Sequence, residues 1–183
     1  MKDDEMQTWA EIHRKLREAV AYISGKVSLK PEIGIILGTG LGSLINGMEM
    51  AGTIEYDDIP HFPTSTVESH HGRLLFGRLK GRAVVCMQGR FHYYEGYSFR
   101  QIAFPIRVMN QLGIQSLIAS NAAGGLNPKY REGDIMMITD HINFLPGNPL
   151  IGDNDDTWGR RFPDGYEVYY RDYIRMAGQV ALE

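Results

Sequence analysis

The segment Gly89-Arg90-Phe91-His92-Tyr93-Tyr94-Glu95-Gly96 puts a guanidinium, an imidazole and a carboxylate close together in the chain. Arg90 and His92 are two apart, so in extended backbone they point to the same side. An arginine can grip a phosphate through two parallel N–H bonds, and a histidine can add a charge-assisted one. Glu95 is spaced to orient the His92 imidazole and to favour its charged form. The plainer alternative is a solvated loop with a surface Arg–Glu pair. A second candidate, Gly38-Thr39-Gly40-Leu41-Gly42, follows the apolar run Ile33–Leu37. Glycines let backbone approach a ligand, free N–H groups there form an anion cradle, and Thr39 adds a hydroxyl. Its G-x-G-x-G spacing is not the dinucleotide fingerprint, and it lacks the lysine of a P-loop. A tight, ligand-free turn fits the same residues.

Three further segments carry weaker signals. Ser69-His70-His71-Gly72-Arg73 holds adjacent histidines. Adjacent side chains on a strand face opposite ways and no cluster completes a four-ligand set, so a metal site is not expected; one histidine beside an anion, or a plain surface pair, is. Ser120-Asn121-Ala122-Ala123-Gly124-Gly125 is a small-residue loop after an apolar run, either room for a ligand at a strand's C-terminal end or close packing of loop on sheet. In Gly159-Arg160-Arg161-Phe162-Pro163 an aromatic precedes a proline, suited to covering a pocket or to local packing.

The elements that must position these groups follow from periodicity. Met6, Trp9, Ile12, Leu16, Val20 and Ile23 recur at helical spacing, with Asp3 and Asp4 suited to the helix start and Gly25 to its end. Ile33–Leu37 reads as a strand buried on both faces. Residues 73–79 and 82–87 read as a hairpin around Lys80-Gly81. Ser98 suits the N-cap of a helix carrying Ile102, Ile106, Met109 and Leu112, stopped by Gly113, with Pro105 placed to kink it. Residues 116–119 read as another buried strand, 134–139 as a further strand, 145–156 as loop, and Tyr166, Tyr170, Tyr173, Ala177 and Val180 as a last helix. Alternating strands and helices predict an α/β architecture, a central mixed β-sheet flanked by helices.

The chain has 183 residues, 43% hydrophobic and 22% charged, with net charge −3. That composition suits one globular domain with a real core. There is no basic block for nucleic acid or an acidic membrane surface, so an anion must be held by a local site. No apolar run is long enough for a membrane span, and the acidic N-terminus is unlike a secretory signal. A single cysteine, Cys86, excludes an internal disulfide framework and suits a reducing compartment, which predicts a cytoplasmic location.

Taken in order, these segments resemble the trimeric purine nucleoside phosphorylase family. The resemblance runs from about Ile33 to Phe162. It rests on Gly38-Thr39-Gly40-Leu41-Gly42, His70 before Gly72-Arg73-Leu74, the Gly89-to-Tyr97 segment and Phe104-Pro105-x-Arg107-Val108. It continues through Asn121-Ala122-Ala123-Gly124-Gly125-Leu126-Asn127, Gly133-Asp134-Ile135-Met136, Asp140-His141-Ile142-Asn143 and Arg161-Phe162-Pro163.

The resemblance implies phosphorolysis of purine (deoxy)ribonucleosides to free base and (deoxy)ribose 1-phosphate in purine salvage. Phosphate is the co-substrate and no cofactor or metal is implied. Thr39, His70, Arg90, His92 and the Ala122 N–H would bind phosphate, with Arg90 and His92 catalytic and Glu95 and Asn121 supporting them. Tyr94 would contact ribose, and Phe162 would reach the site of a neighbouring subunit in a homotrimer. Family members are longer, and their purine-binding residues lie beyond the matched stretch. The expectation is therefore a single nucleoside phosphorylase domain over residues 1–183 that is incomplete at its C-terminus, holds a partial phosphate half-site, and is poorly stable and inactive or nearly so. Methylthioadenosine phosphorylase, a non-catalytic phosphate-binding paralogue and a dinucleotide-binding domain are the rival readings.

Overall fold

A computed structural model describes residues 7–38, 40–63 and 72–182. Thr39, His70 and the expected helix start at Asp3 and Asp4 lie outside the described residues. The chain divides into two compact units, Met1–Ala122 and Ala123–Glu183.

In the first unit, helix α1 spans Trp9–Lys26. Thr8 is its N-cap: the hydroxyl accepts from the Glu11 N–H, and the Glu11 carboxylate accepts from the Thr8 N–H. This reciprocal box satisfies donors that an α-helix start otherwise leaves unpaired. The buried seam is Ile12, Leu16, Ala19 and Ile23, with Val20 only half-buried. Each fully buried Ile or Leu there contributes roughly 1.5–3 kcal/mol relative to an exposed one.

Among the described residues five strands form one sheet in the order β2-β3-β4-β1-β5. They are β1 Ile33–Leu37, β2 Met48–Glu55, β3 Arg73–Leu79, β4 Arg82–Gln88 and β5 Ser116–Ala119. β2, β3 and β4 pair antiparallel, while β1 runs parallel to both β4 and β5. The sheet is thus mixed, as expected. The β3–β4 turn has positive φ at both Lys80 (50°) and Gly81 (77°), the backbone of a tight hairpin whose twist matches its strands. Strand β2, with only a broken alternation of apolar residues, was not foreseen; it is recruited by pairing along β3 with a register shift between Met50 and Gly52.

Ile35, Cys86 and Leu75 lie side by side across β1, β4 and β3 and form one core row with Leu37, Val84 and Met48. On the opposite face, α2 (Phe99–Gln111) approaches Gly34 of β1, where a Cβ would come within 3.6 Å of Met109 Sδ and 2.8 Å of Ile114 Cδ1. Ser98 caps α2 by accepting from the Gln101 N–H, and the helix runs continuously through Pro105.

Two expectations are corrected. Strand β5 forms, but it is not buried: Leu117 is 40% and Ile118 54% exposed, because β5 is the sheet's edge and pairs on one side only. Residues 134–139 form no strand: the described residues of their unit contain no strand, so none within it supplies a ladder for their backbone groups. The second unit is irregular as far as Tyr170, including the expected loop at 145–156, and then forms α3, Arg171–Val180. Tyr166 lies outside that helix, and none of the described residues of this unit is buried.

Candidate functional site

Parallel pairing decides where the candidate groups meet. Leu37 pairs with Gln88 and Ile36 with Ala119, so β1, β4 and β5 end together at one edge of the sheet. Arg73, which opens β3, also pairs with Gln88 and donates from Nε to the Gln88 side chain at 2.6 Å. The glycine loop, the Arg90 segment and the Ser120-Asn121-Ala122 loop therefore leave the sheet at the same end, the position where open α/β sheets bind ligands.

The Arg90 segment is shaped by glycine and by aromatic packing. Gly89 has φ +90°, a conformation open to glycine, and a Cβ there would lie 3.2 Å from Gly72 Cα. Phe91 is buried with its ring 5.2 Å from Tyr56 and 5.4 Å from Tyr97. Because Phe91 turns inward, its neighbours Arg90 and His92 share the other side, as their spacing predicts. Tyr56 is 2% exposed, and its hydroxyl donates to the Gly89 carbonyl at 2.8 Å. Burial pushes its phenol pKa up, so it stays a donor.

A chain of hydrogen bonds links the polar groups. Arg90 donates from Nη1 to the Ser120 carbonyl at 2.6 Å and from Nε to His92 Nε2 at 3.1 Å. His92 Nδ1 lies 2.5 Å from Glu95 Oε1, which also accepts the His92 backbone N–H at 3.0 Å. An arginine can only donate, so His92 Nε2 is the acceptor and Nδ1 carries the proton toward Glu95. Glu95 Oε1 thus meets both the ring and the backbone of His92. The Glu95 side chain is only 11% exposed and His92 33%.

The other candidates are placed as follows. Tyr94 is 82% exposed and stacks on His92, ring centres 4.7 Å apart. Asn121 and Ala122 are exposed, and the Asn121 side-chain amide donates to the Ala122 carbonyl at 3.2 Å. Phe162 belongs to the second unit, is exposed, and lies 5.0 Å from the Arg161 guanidinium. Sequence reasoning missed Tyr56 and the carbonyl of Ser120; a lone tyrosine in a polar stretch and a backbone oxygen leave no motif to find. Among the described residues no group of three His, Cys, Asp or Glu side chains is placed to hold a metal ion. A groove lined by His13, Leu16, Arg17, Val20, Ala21 and Gln111 contains none of the candidates.

A mixed sheet whose parallel strands end together in a glycine loop, an Arg–His pair and a small-residue loop defines an α/β protein with its polar candidates gathered at the strands' C-terminal ends. The chain belongs to the Phosphorylase superfamily, whose model matches residues 32–182. It is 52% identical over 166 residues to purine nucleoside phosphorylase 1 of Geobacillus stearothermophilus, covering 91% of this chain and 61% of that protein. It is 49% identical over 165 residues to purine nucleoside phosphorylase of Bos taurus, covering 88% of this chain and 57% of that protein. Its structure is similar, with TM-score 0.84 and 47% identity, to Schistosoma mansoni purine nucleoside phosphorylase in complex with inosine, over 92% of this chain and 60% of that one. The chain thus spans about three-fifths of the length of the curated relatives it matches. No helix among the described residues is long and apolar enough to cross a membrane.

Proposed function

We propose that this protein acts in purine nucleoside phosphorolysis and that its first unit carries the phosphate-holding part of the site. The observation that carries the reading is the convergence of Arg90 and His92, at the end of β4, with the Ser120-to-Ala122 loop, at the end of β5. Arg90, the Thr39 hydroxyl, His70 and the Ala122 N–H hold phosphate in this reading, and His92 joins them once Nε2 gives up the Arg90 bond and takes a proton. Glu95 and Asn121 steady them, and Tyr94 faces the ribose. Phosphate is the co-substrate, and no cofactor takes part.

The chemistry follows from charge. Phosphate attacks the anomeric carbon as the bond to the purine breaks, and the sugar passes through an oxocarbenium-like state. Fixing the anion beforehand lowers the entropic cost of a two-substrate reaction. The departing base gains negative charge and needs a donor or a proton. Purine salvage in the cytoplasm, and a homotrimer in which Phe162 serves a neighbouring subunit, complete the proposal. Similarity to proteins of that name, one of them solved with inosine, supports the choice of nucleoside.

The test is calorimetric titration of the 183-residue chain with phosphate, run beside an assay of inosine phosphorolysis. Phosphate binding that disappears in Arg90→Ala and His92→Ala supports the reading. A wild-type chain that takes up no phosphate overturns it. Binding without turnover favours a non-catalytic phosphate-binding protein.

A further inference from the structure

Ser120 stands at the junction of the two loops that the proposed phosphate site needs. Its Oγ accepts the Gly38 N–H at 2.9 Å and donates to the Ile36 carbonyl at 3.2 Å. Its own N–H donates to the same Ile36 carbonyl at 3.0 Å. Its carbonyl accepts from Arg90 Nη1 at 2.6 Å. The last ladder pair of β1 and β5 is Ile36 with Ala119. Beyond it, the serine hydroxyl supplies the cross-link that backbone pairing no longer gives. The fit is close: a Cβ on Gly38 would lie 2.6 Å from the Ser120 carbonyl oxygen and 3.0 Å from Asn121 Cα. A shift of the Ser120 backbone is therefore felt at once by Gly38, which precedes Thr39, and by Arg90.

We propose that Ser120 is a positioning residue of the phosphate site: its hydroxyl locks the glycine loop to the end of β5, and this lock sets the carbonyl that aims Arg90. The proposal rests on the phosphate-site reading above. Among the described residues Nε of Arg90 donates to His92 and one Nη1 proton to Ser120, which leaves Nη2 and the second Nη1 proton to meet an anion. Loss of the hydroxyl leaves the Gly38 N–H without its acceptor and frees the two loops to separate. Arg90 then keeps its charge and loses its direction.

The experiment compares the wild type with Ser120→Ala, Ser120→Thr and a core control, Ile23→Val, in the 183-residue chain. Each is titrated with inorganic phosphate, and each is followed by NMR at the Gly38 amide and the Arg90 side-chain Nε–H. Ser120→Ala should weaken phosphate binding roughly tenfold, speed exchange of the Gly38 amide and shift the Arg90 Nε–H resonance. Ser120→Thr, which keeps a hydroxyl, should restore all three. Ile23→Val should lower stability and leave phosphate binding within about twofold. An Arg90 resonance unchanged in Ser120→Ala overturns the inference, as does an affinity loss no greater than that of the control. Absence of phosphate binding in the wild type removes the proposed function instead, and the two NMR signals still decide whether Ser120 couples the loops.

Discussion

Arg90 donates to His92 Nε2 across 3.1 Å, and this bond dictates where the imidazole keeps its proton. With Nε2 accepting, Nδ1–H faces Glu95 at 2.5 Å. Nitrogen-15 NMR of the ligand-free chain should accordingly report a single Nδ1–H tautomer for His92. Glu95→Gln removes the carboxylate and should yield a mixture of tautomers. A wild-type ring protonated mainly at Nε2 would contradict this arrangement.

Arg90→Lys keeps the charge and discards the planar fork. A lysine cannot reach the Ser120 carbonyl, His92 and an anion together. Phosphate affinity should fall by about tenfold or more while the far-ultraviolet circular dichroism spectrum is unchanged. Equal affinity of the two chains by calorimetry would show that charge alone suffices.

Tyr56→Phe deletes a buried donor and keeps the ring that packs against Phe62 and Phe91. The Gly89 carbonyl loses a 2.8 Å bond, so unfolding in urea should be easier by about 1 kcal/mol. The same change should weaken phosphate binding, since Gly89 leads directly into Arg90. A variant as stable as the wild type would mean that water replaces the phenol.

Gly38→Ala forces a methyl to within 2.6 Å of the Ser120 carbonyl oxygen, a backbone atom that cannot rotate away. Destabilisation on the order of 1–3 kcal/mol is expected from such overpacking, measured by the denaturation midpoint. Gly25→Ala is the comparison, because nothing lies within 4 Å of the Cβ it adds. It should cost little or stabilise α1. Equal effects at the two glycines would remove the steric argument.

Glu18 accepts from His61 Nε2 at 2.5 Å and from Arg14 at 2.7 Å. The His61 bond, then the Arg14 bond, lower its pKa below the ordinary 4.5. A carboxyl with a depressed folded pKa stabilises the fold above its unfolded value and loses that contribution as pH falls through the folded one. The stability difference between wild type and Glu18→Gln should therefore be level above about pH 5 and shrink below it. Urea midpoints from pH 3 to 7 measure it; a difference that widens toward low pH would reverse the sign.

Much of this protein could be read from its residues alone. Apolar spacing marked α1, and the Ser98 cap marked α2. The β3–β4 hairpin was legible because Lys80-Gly81 accepts the left-handed backbone that a tight turn needs. Arg90, His92 and Glu95 were legible as a group because their interactions are local in the chain. Periodicity and turn chemistry are properties of a few neighbouring residues, and sequence reports them directly.

Tertiary structure decided what depends on partners distant in the chain. Strand β2 exists because β3 lies beside it, and residues 134–139 form no strand in a unit whose described residues contain none to pair with. β5 is exposed because it fell at an edge, although three of its four residues, Leu117, Ile118 and Ala119, are apolar. The meeting of Ser120 with Gly38 and Arg90 joins positions that lie 82 and 30 residues apart. It arises from parallel pairing of β1 with β4 and β5, and register between separate strands is written in no single stretch of sequence.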